Sequence, residues 1–459
     1  MDVRRILALG ALSLLSIMTA CEGSGAGSSV FGSAGSGGKG TGGQSTTGAG
    51  GSDPGAGGSD PGAGGSTAGS AGSVVVIGGS GGSTVNGVCP TVLNDDNDGD
   101  GWTEEQGDCN VCDPNFIPGA VDIVNYTKNS DGSQGAPLPA SEQVDEDCDG
   151  KARQPDEPTS CDAGLGDAVQ DAFDAARAMG LCNVKVDEAS KKWGVIEAGF
   201  NRISGVFLKN PVTPGKNLGI LKNFGAASTP LEGERIFALS TGEARAGLID
   251  TCEQSGTQED QFPPGFPKQG SCGTTGEPYD GIALDMKIRV PTNAKSMKFN
   301  FRFFTCEFPN YVCQQYNDVF AVLMVPNPLP TDHNMFDPVS KSANIAFESI
   351  ANNPKQGNVI GVNNQSFLTA CDNTGDPDTA GYVNCKGESE LAGSGFEDHA
   401  ASAWLTTQVP VPSGQIIYLR FAIWDSGDGA LDSTTIVDNF QWSAEGGTGV
   451  VTKIDPDIN

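Results

Sequence analysis

Histidine is almost missing from this chain: His333 and His399 are the only two in 459 residues. His333 follows Pro330-Thr331-Asp332 and His399 follows Glu397-Asp398, neither in a recognisable catalytic motif, so both are expected to be solvated loop residues. No cysteine stands out as a free, low-pKa thiol, and nucleophilic catalysis has no candidate. Positive charge is also scarce, with 27 Lys and Arg against 57 Asp and Glu and a formal net charge of -30. A phosphate backbone repels such a surface, which excludes nucleic acid as a partner. Beyond the first twenty residues no apolar run is long enough to cross a bilayer.

The N-terminus is different. Arg4 and Arg5 precede an apolar stretch from Ile6 to Met18, and small residues then lead to Cys21. The stretch is too short for a permanent span and reads as an export signal. Thr19-Ala20-Cys21 resembles a bacterial lipoprotein cleavage box, with Met18 where Leu is more usual. The resemblance implies that Cys21 becomes the lipidated first residue of the mature chain, anchored in a membrane. From Glu22 to about Gly87 the chain is almost pure Gly, Ser, Ala and Thr, with GSDPGAG at Gly51 repeated at Gly58. Such a tract cannot bury enough apolar surface to order itself, so a disordered tether with a reach of roughly 40–50 Å is expected.

Setting Cys21 aside leaves twelve of the thirteen cysteines, an even number suited to an oxidising compartment. Four close pairs read as local disulfides: Cys161–Cys182, Cys252–Cys272, Cys306–Cys313 and Cys371–Cys385. Cys89, Cys109, Cys112 and Cys148 remain to pair among themselves, with connectivity open.

Those last four bracket an acidic segment. Asp96-Asn97-Asp98-Gly99-Asp100-Gly101 and Asp145-Glu146-Asp147-Cys148-Asp149-Gly150 both fit D-x-[DN]-x-[DN]-G. Carboxylates at alternate positions converge on one centre when a loop wraps a cation, glycine at the sixth position allows the sharp turn, and hard oxygen ligands favour Ca²⁺. Asp96, Asp98, Asp100 and Asp108, with Asp145, Asp147 and Asp149, are the expected ligands. Position twelve of the first loop is Gly107 and no flanking helices are evident, so a disulfide-braced calcium loop is expected and not an EF-hand. The run from Asp98 through Trp102 to Cys109, then Cys112-Asp113-Pro114, Ile117-Pro118-Gly119-Ala120 and Val144–Gly150, resembles the proposed metal-binding repeats of myxobacterial surface proteins of the MopE type. That resemblance implies copper as an alternative to calcium.

Farther on, Asp167–Met179 reads as a helix stopped by Gly180, and the period then becomes two. Ile282, Leu284, Met286, Ile288 and Val290 alternate with small or polar residues, as do Met297, Phe299, Phe301 and Phe303. Joined by a turn at 291–295, these runs read as adjacent half-buried strands, with more strands at Asp318–Val325, Ile416–Trp424 and Thr434–Trp442. Glu307, Asp318, Asp425, Asp428 and Asp432 fall at strand ends, where Asp318, Asp425 and Asp432 can gather to hold a calcium ion or a polar ligand, or simply cap turns. Arg235–Ala244, Phe303–Tyr311, Tyr316–Phe320 and Leu419–Ser433 resemble, in the same order, segments of the choice-of-anchor L domain of bacterial surface proteins.

The expected architecture is mainly β: residues 1–20 a signal, 21–87 a tether, 88–158 an Asp-rich calcium-loop module, 159–445 a jelly-roll-like β-sandwich with a short N-terminal helix, and 446–459 a tail. The expected function is that of a non-enzymatic, calcium-stabilised lipoprotein at the outer membrane or cell surface, acting in display, adhesion, or glycan or matrix binding. The alternatives are an exported hydrolase with paired carboxylates and a metal-scavenging surface protein.

Overall fold

A computed structural model describes residues 94–458 apart from 131–133, 154–160, 210, 245–251, 253–257, 264–265, 267–275, 372–383 and 448. The signal, Cys21, the tether, Cys89 and Cys272 lie outside the described residues.

The strands are β1 (Tyr126–Lys128), β2 (Gln134–Pro137), β3 (Gly194–Asn201), β4 (Leu218–Leu221), β5 (Ile236–Ser240), β6 (Pro278–Arg289), β7 (Ser296–Thr305), β8 (Val319–Val325), β9 (Ala343–Asn344), β10 (Phe347–Ser349), β11 (Gly357–Gly361), β12 (Leu368–Ala370), β13 (Ala400–Ser402), β14 (Leu405–Pro410), β15 (Ile416–Ser426), β16 (Ser433–Ser443) and β17 (Val451–Ile454). Apart from the β1–β2 hairpin they form two antiparallel sheets. One runs β10-β11-β8-β15-β6-β3 with β9 beside β8. The other runs β12-β13-β7-β16-β5-β4, with β14 on β7 and β17 on β14. The mainly β, sandwich-like class read from the sequence is therefore the class observed.

The period-two runs form the interface between the sheets. Ile282, Leu284, Met286 and Ile288 meet Met297, Phe299, Phe301 and Phe303 in one apolar cluster. Phe299 packs edge-on against Phe421 at 5.2 Å between ring centres, and Phe301 lies 5.0 Å from Phe320. Fully burying each such ring contributes about 1.5–3 kcal/mol.

Two expectations need correction. β6 and β7 are not paired neighbours, because each lies in a different sheet. The turn at 291–295 crosses between the layers, with β6 pairing β15 and β7 pairing β16. Nor are these strands half-buried. Their polar positions Asp285, Asn300 and Arg302 are covered too. Arg420 on β15 grips Asp285 through Nε at 2.6 Å and Nη2 at 2.7 Å, and Asn201 adds a third bond at 2.9 Å. Charge enters the interior here because partners and hydrogen bonds accompany it.

The helix, α1, is shorter than expected and spans Ala172–Ala178. Asp171 caps it by accepting the Phe173 amide, while Ala168 ahead of it bridges to Gly219 in β4. That bridge holds the preceding residues extended. Cys161–Cys182 and Cys371–Cys385 are bonded as expected, but Cys252 joins Cys306, not Cys272. Cys306 follows β7, and Cys252 lies with it in the same apolar cluster as Phe304 and Phe396. Sheet geometry overrides closeness in sequence. The expected Cys306–Cys313 bridge is therefore not formed either; Cys313 is disulfide-bonded elsewhere, and Cys112 is disulfide-bonded too.

Candidate functional sites

The acidic module builds two loops of the same design. In the first, Asp96 accepts the amides of Gly99 at 2.7 Å and Gly101 at 2.9 Å. In the second, Asp145 accepts Asp149 at 3.2 Å and Gly150 at 2.9 Å. The sixth-position glycines Gly101 and Gly150 have φ of 90° and 91°, in the left-handed region where a side chain is strained. Each loop thus closes its last amide on its first carboxylate, and Cys109–Cys148 ties the loops together.

Ligand-type oxygens of Asp96, Asp98 and Asp100 lie within 4.8 Å of one another, as do those of Asp122, Asp145, Asp147 and Asp149. Asp122 was missing from the sequence reading. It stands well upstream of its loop and reaches it by accepting the Glu146 and Asp147 amides at 2.8 and 3.0 Å. Asp108, expected in the first group, stands outside it and accepts the Asn110 amide at 2.8 Å. Burial, opposed by the Trp102 amide, pushes Asp100 up to about 6. Asp122 is likewise raised to about 6 by burial and by the charge of Asp147. One oxygen each of Asp98 and Asp100 is buried without a partner.

This module rests on the sandwich. Ile117 and Ala120 are fully buried, Gly119 accepts the Thr292 amide at 3.1 Å, and Val121 exchanges two hydrogen bonds with Asn293. The contact is made on the turn between β6 and β7.

A second group lies at the other end of β7. Glu307 follows that strand, Asp318 precedes β8, Asp425 is near the end of β15 and Asp432 precedes β16. Asp318 accepts the Ser426 amide at 3.0 Å and the Ser433 hydroxyl at 2.7 Å. Glu307 takes the Thr305 hydroxyl at 2.8 Å. Burial first, then repulsion from one another, holds Glu307, Asp318 and Asp425 well above the ordinary carboxyl range. Burial and the charge of Asp280 raise Asp432 to about 8. Asp428, by contrast, is exposed and caps its own turn through the Ala430 amide.

The histidines depart from expectation. His333 is buried against Phe347 and accepts the Met335 amide at 3.1 Å through Nδ1, because its loop folds inward; burial also lowers its pKa. His399 lies beside Cys252 and Cys306, but those sulfurs are bonded to each other.

The molecule is thus an antiparallel sandwich with acidic loops at one end and buried carboxylates at the other. The choice-of-anchor L domain matches residues 202–439, and the chain belongs to that family. Membership makes it a surface-associated, exported protein. No curated protein and no solved structure matches it significantly. Among the described residues no helix is long and apolar enough to cross a membrane.

Proposed function

We propose that this is a lipid-anchored surface protein whose calcium-bound Asp-rich module presents the sandwich as a non-enzymatic head for adhesion or for glycan or matrix binding. The observation that carries the calcium assignment is the twin loop design, in which Asp96 and Asp145 each close on the amide five residues ahead while further carboxylates converge. Crowded carboxylates repel one another, and a bound cation supplies the missing attraction. The all-oxygen ligand set favours calcium over the copper implied by the MopE-type resemblance. Because the module grips Thr292 and Asn293, an ion there would stiffen the junction between tether and head.

Calorimetric titration of the full chain with Ca²⁺ tests this. Asp98→Asn and Asp147→Asn are each expected to weaken one class of site at least about tenfold. Equal binding in parent and variants, or none in the parent, overturns the calcium assignment. The head is tested by glycan and matrix binding of the intact protein, where turnover of a bound polysaccharide would restore the hydrolase reading.

A further inference from the structure

Other buried carboxylates among the described residues, such as Asp162, Glu307 and Asp318, have at least one oxygen in a hydrogen bond. Asp285 has Arg420 and Asn201, and Asp438 accepts the amides of Leu231 and Asn439 at 2.7 and 2.6 Å. Asp425 breaks that pattern. It is 1% exposed, and neither of its oxygens accepts a well-formed hydrogen bond, with only the Asp318 carboxyl and the Thr241 hydroxyl in reach. Asp432 is also 1% exposed, with Oδ2 unpartnered. The Thr241 hydroxyl faces both, but it donates to the Ser433 carbonyl at 3.4 Å and accepts the Ser433 amide at 2.9 Å. Asp318 and Glu307 complete the group. Asp318 stands within hydrogen-bonding reach of both Glu307 and Asp425, while no three of the four bring ligand oxygens within 4.8 Å of one another, so a bound ion would draw them inward. Among the described residues no lysine or arginine stands with the groups acting most strongly on these four.

Leaving a carboxylate buried and bare costs several kcal/mol, and adding like charges beside it costs more. The acceptor-only, all-oxygen lining calls for a cation of the hard class. We infer that Asp425 and Asp432, backed by Glu307 and Asp318, form a buried divalent-cation site that closes the far end of the sandwich. This site is separate from the acidic loops. The module docks where β7 begins and the site lies where β7 ends, ten residues apart, roughly 30 Å along an extended strand. Asp318 and Asp425 come from one sheet, Asp432 and Glu307 from the other, so the ion would clamp the layers together.

The test uses the full chain carrying both Asp98→Asn and Asp147→Asn, so that loop binding is suppressed. Calcium is counted by native mass spectrometry, and melting is followed with calcium and with chelator. The expected result is that one calcium and a calcium-dependent rise in melting temperature survive in this background. Adding Asp425→Asn should remove both, while in chelator at pH 7.5 that variant melts no lower than its parent, since neither Asp425 oxygen has a hydrogen bond to lose. Asp432→Asn serves as a second probe should Asp425→Asn fold poorly. Loss of all bound calcium in the loop-variant background, or retention of the ion after both Asp425→Asn and Asp432→Asn, overturns the inference. Failure of the loops alone would leave one ion in the unmodified parent, so the two readings fail distinguishably.

Discussion

The Asp318 carboxylate accepts the Ser433 hydroxyl at 2.7 Å and thereby joins the two sheets at the end where β8 and β16 begin. Its other oxygen takes the Ser426 amide, so one side chain pins the ends of β15 and β16 together. Because both bonds are buried, removing the acceptor leaves two donors stranded. Asp318→Ala is expected to destabilise the head by about 2–5 kcal/mol, measured by denaturant unfolding. A change below about 0.5 kcal/mol would mean that the sheets are held at this end by packing alone.

Arg420 and Asp285 make a bidentate pair at 1% and 0% side-chain exposure. Breaking such a pair strands one charge in the interior. Asp285→Asn or Arg420→Met should each cost about 3–5 kcal/mol, whereas the double replacement Asp285→Leu/Arg420→Met should recover much of the loss. Additive losses in that double variant would locate the cost in altered packing instead of the unpaired charge.

The Cys252–Cys306 bridge closes a loop of sequence separation 54. A crosslink over that length stabilises by roughly 4 kcal/mol, mainly through the unfolded chain. Non-reducing peptide mapping should recover the Cys252–Cys306 linkage, and Cys252→Ser should lower unfolding stability by about 2–4 kcal/mol. Recovery of a Cys252–Cys272 peptide would reinstate the pairing suggested by spacing.

Much of the sandwich is legible in the alternation of residues 282–290 and 297–303, because one face of each strand has to be apolar for the sheets to meet. Alternation does not say whether the other face is covered, and so Asp285, Asn300 and Arg302 read as solvent-facing when they are buried. It is equally silent on whether a five-residue turn makes a hairpin or crosses between layers. The loop carboxylates are legible because their spacing is local. Asp122 carries no motif and enters its cluster only through the backbone of Glu146 and Asp147. The far-end group could be suspected from Asp318, Asp425 and Asp432, but its bare oxygens emerge only from packing.

Asp438 supplies a pH test away from the proposed ligands. Burial, opposed by the Leu231 and Asn439 amides, pushes it up to about 7 from 3.8. A carboxyl with a raised folded pKa keeps a proton that the unfolded chain releases, so stability is lost as pH rises from about 4 to about 7. Three units correspond to at most about 4 kcal/mol. Denaturant unfolding in chelator should become easier across that window, and Asp438→Asn should flatten the slope. A parent whose stability climbs through the same window would contradict the assignment.

If Cys21 carries the proposed lipid, Cys21→Ser is expected to move the mature protein from the membrane fraction to the soluble fraction, since the polar tether that follows Cys21 offers no apolar run to insert. Unchanged partitioning would refute lipidation at Cys21.

Gly242 follows β5 and lies directly against Asp432, whose carboxylate occupies the space a Cβ would need. Gly242→Ala must therefore push Asp432 aside, and the overpacking should cost about 1–3 kcal/mol. If Asp432 also helps to hold a cation, the substitution should do more than destabilise: it should reduce the calcium-dependent part of the melting temperature. Combining Gly242→Ala with Asp432→Ser removes the obstructing carboxylate and separates the two effects. Relief of the steric cost should raise stability in chelator above that of Gly242→Ala alone, while calcium no longer shifts the melt. A double variant no more stable in chelator than Gly242→Ala would mean that the alanine is accommodated by backbone movement, and that the close approach of Gly242 to Asp432 does not set the position of that carboxylate.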